Sequence, residues 1–220
     1  MTGMAILGLT GSVGMGKSTA ATLLRRLGVP VHDADAAVHG LLGTGGGAVA
    51  AVGSAFPGTV EDGAVNRVVL GKEVFGDAER LRALEGILHP RVRASEDAFL
   101  RRHALRRAPL VVLDIPLLYE TGAEVRLDAV VTVTAPAFLQ EIRVLRRRDM
   151  SRERLAALRA AQVPDVEKRR RADYVVVTGG SKHNTLKELR RVVADVRIRL
   201  EPRRAVWRPG RAALPGGDDA

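Results

Sequence analysis

Cysteine is absent from this chain of 220 residues, which excludes disulfides, thiolate catalysis and zinc sites built on cysteine. Aromatic residues are scarce, at 3% of the chain, so few rings are available to stack on the bases of a single-stranded nucleic acid. No stretch approaches the roughly 18 consecutive apolar residues of a membrane-spanning helix, and the N-terminus lacks the basic, apolar and small-residue order of a signal peptide. We therefore expect a soluble, cytoplasmic protein with no membrane partner.

Basic residues exceed acidic ones, with 35 Lys and Arg against 25 Asp and Glu and a formal net charge of +10. The excess is concentrated between Gln140 and Arg171, where eleven residues are basic and five are acidic. A local basic segment suits a polyphosphate ligand, whereas a nucleic-acid surface would be expected to carry aromatic residues among the basic ones. We expect a small anionic ligand and rank nucleic acid second.

Residues 11–18 read Gly-Ser-Val-Gly-Met-Gly-Lys-Ser and match the pattern G-x-x-x-x-G-K-[ST] of a phosphate-binding loop. The apolar run 5–10 before the loop predicts a strand, and residues 19–27 after it predict a helix. Loop N–H groups face a polyphosphate, Lys17 reaches the terminal phosphates, and the Ser18 hydroxyl can ligate Mg²⁺. We predict nucleotide contacts at Gly11, Gly14, Met15, Gly16, Lys17, Ser18 and Thr19. A plain glycine-rich turn is the alternative.

Five short apolar runs have strand character: 5–10, 29–32, 110–114, 129–133 and 174–177. Helical patterns separate them along the chain. This order predicts an α/β fold with a doubly wound, five-stranded parallel sheet, in which ligands collect at the carboxyl ends of the strands. A chain of this length accommodates one such core, which we place at residues 1–200.

Residues 43–107 are predicted to form a mainly helical insertion between the second and third strands of the sheet. Its phenylalanines, Phe56, Phe75 and Phe99, are expected to pack into a core. The pair His89-Pro90 predicts the end of a helix, because proline disfavours helical geometry at the residue before it. Residues 201–220 are rich in Pro, Gly and Arg and predict a flexible tail.

Two carboxylates follow predicted strands and are candidates for the chemistry. Asp33 could accept the proton of an attacking hydroxyl or orient it toward a terminal phosphate. It could instead cap the helix that begins at Ala34, and the two roles fall to different residues if Asp35 is the cap. Asp114 closes an apolar strand as a Walker-B acid does and could hold Mg²⁺ through water, or it could be a turn residue before Pro116.

The chain resembles the dephospho-CoA kinase family from about Ile6 to Leu200. The motifs that carry the resemblance are Gly8-Leu9-Thr10-Gly11, Val31-His32-Asp33-Ala34-Asp35, Ile87-Leu88-His89-Pro90-Arg91-Val92-Arg93, Asp114-Ile115-Pro116-Leu117-Leu118-Tyr119-Glu120, Gln140 with Arg143 and Arg147, Gln162, Glu167-Lys168 and Ala172-Asp173-Tyr174. Two segments depart from the family pattern. Thr178-Gly179-Gly180 stands where many members have Asp-Asn followed by small residues, and the Arg-rich segment beyond Leu200 lies outside the pattern.

The resemblance implies a P-loop kinase fold and transfer of the γ-phosphate of ATP to the ribose 3′-hydroxyl of dephospho-CoA. It implies Asp33 as the base or the group that orients the hydroxyl. From the motif, charge and spacing arguments we also expect Lys17 and Arg143 to be catalytic, Arg147 to be a further ATP contact, and Ser18 and Asp114 to be Mg²⁺ ligands. The acceptor-binding residues implied are Thr10, Asp33, His89, Pro90, Arg93, Leu117, Leu118 and Glu120, and the whole turn 116–120 is implied to line the acceptor pocket. We expect ATP, Mg²⁺ and dephospho-CoA as ligands, no nucleic acid, and a monomer or weak homo-oligomer.

By the same resemblance, the basic segment at about 140–171 is a helical lid. Arg143 and Arg147 lie four apart on one predicted helical face and could reach the same phosphate chain. The run from Lys168 to Arg171 is expected to be a solvated hinge. Two rival functions share the phosphate loop: a kinase for a nucleoside or other small metabolite, and a regulatory ATPase that binds nucleic acid through its basic segment and tail.

Overall fold

The computed structural model describes residues 3–148 and 150–199. Its strands are β1 (Ala5–Thr10), β2 (Val31–Asp33), β3 (Val60–Glu61), β4 (Ala64–Val65), β5 (Leu110–Asp114), β6 (Ala129–Thr134) and β7 (Tyr174–Val177). Its helices are α1 (Lys17–Arg26), α2 (Ala34–Leu42), α3 (Val49–Ala55), α4 (Arg67–Val74), α5 (Ala78–Leu105), α6 (Ala137–Leu145), α7 (Arg152–Ala160), α8 (Asp165–Arg171) and α9 (Lys182–Arg199). The tail expected at residues 201–220 lies outside the described residues.

Five strands form one parallel sheet in the order β2-β5-β1-β6-β7. Every residue of β1, β5 and β6 is buried, as expected for central strands covered on both faces. Leu7 and Leu9 of β1 pack in one core with residues of α1 and α9, whereas Ile6 packs in another with Leu100 of α5. Helices therefore cover both faces, and the predicted doubly wound fold is confirmed.

The segment 43–107 contains α3, the antiparallel pair β3 and β4, α4 and α5. The segment has its own small core, to which Phe56, 2% exposed, contributes. Phe99 packs partly buried against the core beneath the sheet. The expectation for Phe75 is wrong, since it is 90% exposed. It follows the end of α4 and precedes Gly76 at positive φ, so the chain turns away and leaves the ring in solvent.

Pro90 does not end a helix, because α5 continues through it to Leu105. An interior proline costs about 3 kcal/mol, since it removes one main-chain hydrogen bond and crowds the preceding turn. Packing offsets that cost at both ends of the helix: Leu84 lies in the core of the insertion and Leu100 lies against the sheet. Arg91 also donates to the Ile87 carbonyl beside the proline, at 2.7 Å.

No helix among residues 3–148 and 150–199 is long and apolar enough to cross a membrane.

Candidate active site

A cavity of about 520 Å³ opens at the carboxyl end of β1, where the phosphate loop turns into α1. Its predicted lining residues include Gly11, Gly14, Gly16, Lys17, Ser18, Thr19, Arg143 and Arg147. Its volume is in the range of ordinary small-ligand sites. Ser12, Val13, Asp35, Pro116 and Gln162 also line it, and the sequence predicted no specific contact for Ser12, Val13, Asp35 or Gln162.

Met15, a predicted nucleotide contact, is not among the residues that line the cavity. Its side chain is 4% exposed and packs into the main core. Its N–H donates to the Ser12 carbonyl at 3.1 Å, so the loop closes a tight turn over it. The sulfur accepts a hydrogen bond from the Ala135 N–H at 3.1 Å. The Met15 side chain therefore holds the phosphate loop against the residue that follows β6.

Two glycines of the loop are required by both conformation and space. Gly14 has φ 77° and Gly16 has φ 86°, a region in which residues with side chains are strained. A Cβ at position 14 would lie 2.6 Å from Val144, and one at position 16 would lie 2.7 Å from Thr178 Oγ1. The loop is thus pressed against α6 and against the segment after β7.

Lys17, the first residue of α1, places its ammonium between two carboxylates. Its Nζ lies 2.7 Å from Asp114 Oδ1 and 3.8 Å from Asp35 Oδ2. Asp114 is 1% exposed, and burial raises the pKa of its carboxyl above the usual value, an effect that the Lys17 ammonium opposes. The nearby charges of Asp33 and Asp35 add to the upward shift of this pKa.

The structure separates the roles of Asp33 and Asp35. Asp33 is the N-cap of α2, and its Oδ1 accepts the N–H of Ala36 at 3.0 Å. Its Oδ2 lies 3.9 Å from the Arg25 guanidinium. Asp35, in the first turn of α2, lines the cavity and has a side chain 73% exposed. The cap is therefore Asp33, and the carboxylate that faces the phosphate loop is Asp35.

Side chains of the predicted lid segment bind the backbone of the phosphate loop at Val13. Gln140 of α6 donates to the Val13 carbonyl at 2.8 Å, and Gln162 accepts the Val13 N–H at 3.2 Å. Arg159 of α7 donates to Gln140 Oε1 at 2.6 Å, which fixes the orientation of that amide. Arg147 lies beyond the end of α6 rather than on its helical face, yet it lines the cavity together with Arg143.

Three predicted acceptor-binding residues are engaged elsewhere. Thr10 is 0% exposed and donates to the Pro116 carbonyl at 3.2 Å. Leu118, also 0% exposed, packs in a core with Val130. Glu120 Oε1 lies 2.8 Å from the ammonium of Lys168. These contacts hold the turn after β5 in place, and the ligand contacts of Thr10, Leu118 and Glu120 remain a prediction.

The ion pair of Glu120 with Lys168 also corrects the expected solvated hinge. Lys168 is 0% exposed, because α8 packs against β6. Burial alone would raise the pKa of the Glu120 carboxyl, but hydrogen bonds from Lys168 and from the Val163 N–H hold it below its usual value. The turn after β5 and the C-terminal end of the lid segment are thereby tied together.

The remaining predicted acceptor residues do not line the cavity. His89, Pro90 and Arg93 are exposed along α5, and Leu117 is 43% exposed on the turn after β5. Within residues 3–148 and 150–199, no group of three or more His, Asp or Glu side chains could hold a metal ion on its own.

Comparison with known proteins places this site in context. A family model described as dephospho-CoA kinase matches residues 5–184. The dephospho-CoA kinase of Paramagnetospirillum magneticum is 59% identical over 217 residues, which cover 99% of this chain and 97% of that protein. That of Rhodospirillum rubrum is 57% identical, covering 84% and 88%. The family model ends at residue 184, whereas the alignment with the Paramagnetospirillum protein covers 99% of this chain.

Two solved structures are similar to this chain in fold. A Thermus thermophilus protein, TT1252, superposes with a TM-score of 0.74 at 41% identity and covers 88% of this chain and 98% of its own. A dephospho-CoA kinase from Campylobacter jejuni superposes with a TM-score of 0.60 at 23% identity, covering 88% and 97%. The second likeness supports the fold alone.

Proposed function

Since this chain belongs to the dephospho-CoA kinase family, we propose that it transfers the γ-phosphate of ATP to the ribose 3′-hydroxyl of dephospho-CoA, releasing ADP and coenzyme A. The observation that carries the proposal is the position of the Lys17 ammonium in the phosphate-loop cavity, 2.7 Å from Asp114 and 3.8 Å from Asp35. Phosphoryl transfer to a hydroxyl needs a cation for the phosphates and a carboxylate for the acceptor, held close together.

In this reaction the triphosphate of ATP occupies the cavity, bound by loop N–H groups and by the positive N-terminal end of α1. Lys17 exchanges its contact with Asp114 for one with the terminal phosphates. Arg143 and Arg147, which line the same cavity, neutralise the charge that develops on the transferred phosphoryl group. These roles follow from charge and position.

For the acceptor hydroxyl, the geometry favours Asp35 over Asp33. Asp35 faces the cavity with a largely exposed carboxylate, whereas one oxygen of Asp33 is already used as a helix cap. A base or orienting group must come within hydrogen-bond reach of the proton it accepts. Asp35 is therefore the proposed base. The sequence favoured Asp33, and the variants Asp33→Asn and Asp35→Asn distinguish the two assignments.

Mg²⁺ is a further part of the proposal. The ion prefers oxygen ligands and binds through one or two protein groups together with substrate phosphates and water. The donors present fit that preference: Ser18 lines the cavity, and the Asp114 carboxylate accepts a hydrogen bond from Lys17, which also lines it. Ser18 and Asp114 would hold the ion, which when bound screens the charge of the phosphates.

The acceptor itself is proposed to lie toward the insertion, next to His89, Pro90, Arg93 and Leu117, whose assignment rests on the family motifs. Exposed Arg93 and Leu117 offer a cationic and an apolar contact, which suit a ligand that carries both phosphate and an uncharged arm. A cytoplasmic location is proposed because the reaction consumes ATP.

A coupled assay of ADP release tests the function. Release should depend on dephospho-CoA and be much slower with nucleosides or shikimate as acceptors. A preference for either of those acceptors would assign the chain to another small-molecule kinase activity. ATP hydrolysis stimulated by DNA or RNA would instead favour the nucleic-acid alternative.

A further inference from the structure

Thr178 occupies a position at which this chain departs from the family motif, and it lies where three parts of the site meet. It directly follows β7, is 5% exposed, and its N–H donates to the Thr134 carbonyl of β6 at 2.8 Å. Its Oγ1 donates to the Met15 carbonyl of the phosphate loop at 2.6 Å. The residue is thus fixed by the sheet and fixes the loop.

The same residue holds Arg143. The guanidinium donates through Nη2 to the Thr178 carbonyl at 2.8 Å and through Nη1 to Thr178 Oγ1 at 3.3 Å. A hydroxyl offers one donor and two acceptor positions, so Oγ1 can give its proton to Met15 while it accepts from Arg143. A valine has the same shape and offers neither.

Arg143 has little else to orient it. Among the described residues, its remaining hydrogen bond runs from Nη1 to the Gly14 carbonyl at 3.4 Å, and no described carboxylate forms an ion pair with it. Its positive charge is therefore available to a ligand in the cavity that it lines. An arginine held by neutral carbonyl and hydroxyl groups keeps its direction without being neutralised.

We propose that Thr178 is a positioning residue, which directs Arg143 toward the nucleotide phosphates and keeps the Met15 turn of the loop in register with it. The inference rests on the proposed function only in that Arg143 contacts ATP. It predicts that loss of the hydroxyl weakens ATP binding and slows turnover while leaving the dephospho-CoA site unaffected.

The test is a double-mutant cycle of Thr178→Val and Arg143→Ala in the full chain, with the Kd for ATP measured by calorimetry and kcat and KM by ADP release. Alone, Thr178→Val should raise the Kd for ATP about tenfold and lower kcat, with the KM for dephospho-CoA changed less than about twofold. In the Arg143→Ala background, the same substitution should raise the Kd by a smaller factor, because only its effect on the Met15 turn remains.

Two further variants separate positioning from folding. Thr178→Ser keeps the hydroxyl and should bind ATP as the wild type does. Thr185→Val removes another buried threonine hydroxyl, which donates to the Ser181 carbonyl at 3.3 Å in α9, and should leave the Kd for ATP unchanged. If Thr178→Val is not folded by circular dichroism, Thr178→Ala takes its place, because it removes the hydroxyl without adding volume.

A wild-type Kd and kcat in Thr178→Val would overturn the inference, as would an equal loss in the wild-type and Arg143→Ala backgrounds. Failure of the wild type to phosphorylate dephospho-CoA would instead defeat the proposed function. The Kd values for ATP would then still decide the role of Thr178, since they need no acceptor.

Discussion

Asp33 and Asp35 stand two residues apart, and the structure predicts opposite outcomes when each is changed to asparagine. Asp35 faces the cavity 3.8 Å from Lys17. Its carboxylate is the proposed base, so Asp35→Asn should lower kcat by about 10²- to 10⁴-fold, the usual contribution of a positioned base. That range corresponds to about 3–5 kcal/mol of transition-state free energy.

Asp33→Asn should keep its turnover. Asparagine caps helices as well as aspartate does, so the bond to the Ala36 N–H is retained. The change removes a favourable charge at the N-terminus of α2, worth about 0.3–1 kcal/mol. It also removes an exposed pair with Arg25 at 3.9 Å, worth about 0–1 kcal/mol. We expect a free energy of unfolding lower by roughly 1 kcal/mol and a kcat within about threefold of the wild type.

The assay is steady-state ADP release at saturating ATP and dephospho-CoA, with denaturant unfolding of each variant as the control for stability. Asparagine is preferable to alanine because it preserves the cap at position 33, so that a loss of activity cannot be attributed to fraying of α2. If Asp33→Asn lost turnover and Asp35→Asn kept it, the assignment of roles would be reversed and the argument from capping would be refuted.

Two further predictions concern stability. Lys168→Met should lower the free energy of unfolding by about 3–5 kcal/mol, because it leaves the largely buried carboxylate of Glu120, whose side chain is 14% exposed, without its cation. Since the pKa of Glu120 is lowered in the folded state, the pair stabilises above pH 4.5, and the difference in Tm between Lys168→Met and wild type should shrink as the pH falls below 4.5. An undiminished difference in acid would contradict this. Burial, together with the hydrogen bond to Asp195, raises the pKa of Tyr174 to about 12. The protonated phenol therefore stabilises the folded state fully below pH 10.0, and this stabilisation is lost as the pH rises toward 12. Alkaline denaturation curves should therefore fall more steeply in the wild type than in Tyr174→Phe, and parallel curves would show that the phenol does not contribute.

The sheet could be predicted from sequence because its central strands are buried on both faces and read as continuous apolar, β-branched runs. Leu110–Asp114 and Ala129–Thr134 are of this kind. The small pair β3 and β4 was missed because each strand has two residues, although Asp62-Gly63 between them is a known turn pair. The prediction that a helix ends at His89-Pro90 was wrong, because packing at both ends of α5 outweighs the hydrogen bond that the proline removes.

At the site, the phosphate loop and Lys17 could be predicted because their spacing alone defines the chemistry. Which of Asp33 and Asp35 faces the loop could not, since that depends on where α2 begins relative to the end of β2. Leu118 and Glu120 belong to a family motif, but a motif does not distinguish a residue that supports the site from one that touches the ligand. The contact of Gln162 with Val13 joins positions 149 residues apart, and no local pattern indicates it.

The most direct measurement of the central claim is the position of the new phosphate, determined by ³¹P NMR after incubation with ATP, Mg²⁺ and dephospho-CoA. We predict one new monoester on the ribose 3′-oxygen, formed in amounts equal to ADP, and no product with Lys17→Ala. Release of inorganic phosphate with dephospho-CoA unchanged, or a phosphate on any other oxygen, would contradict the account.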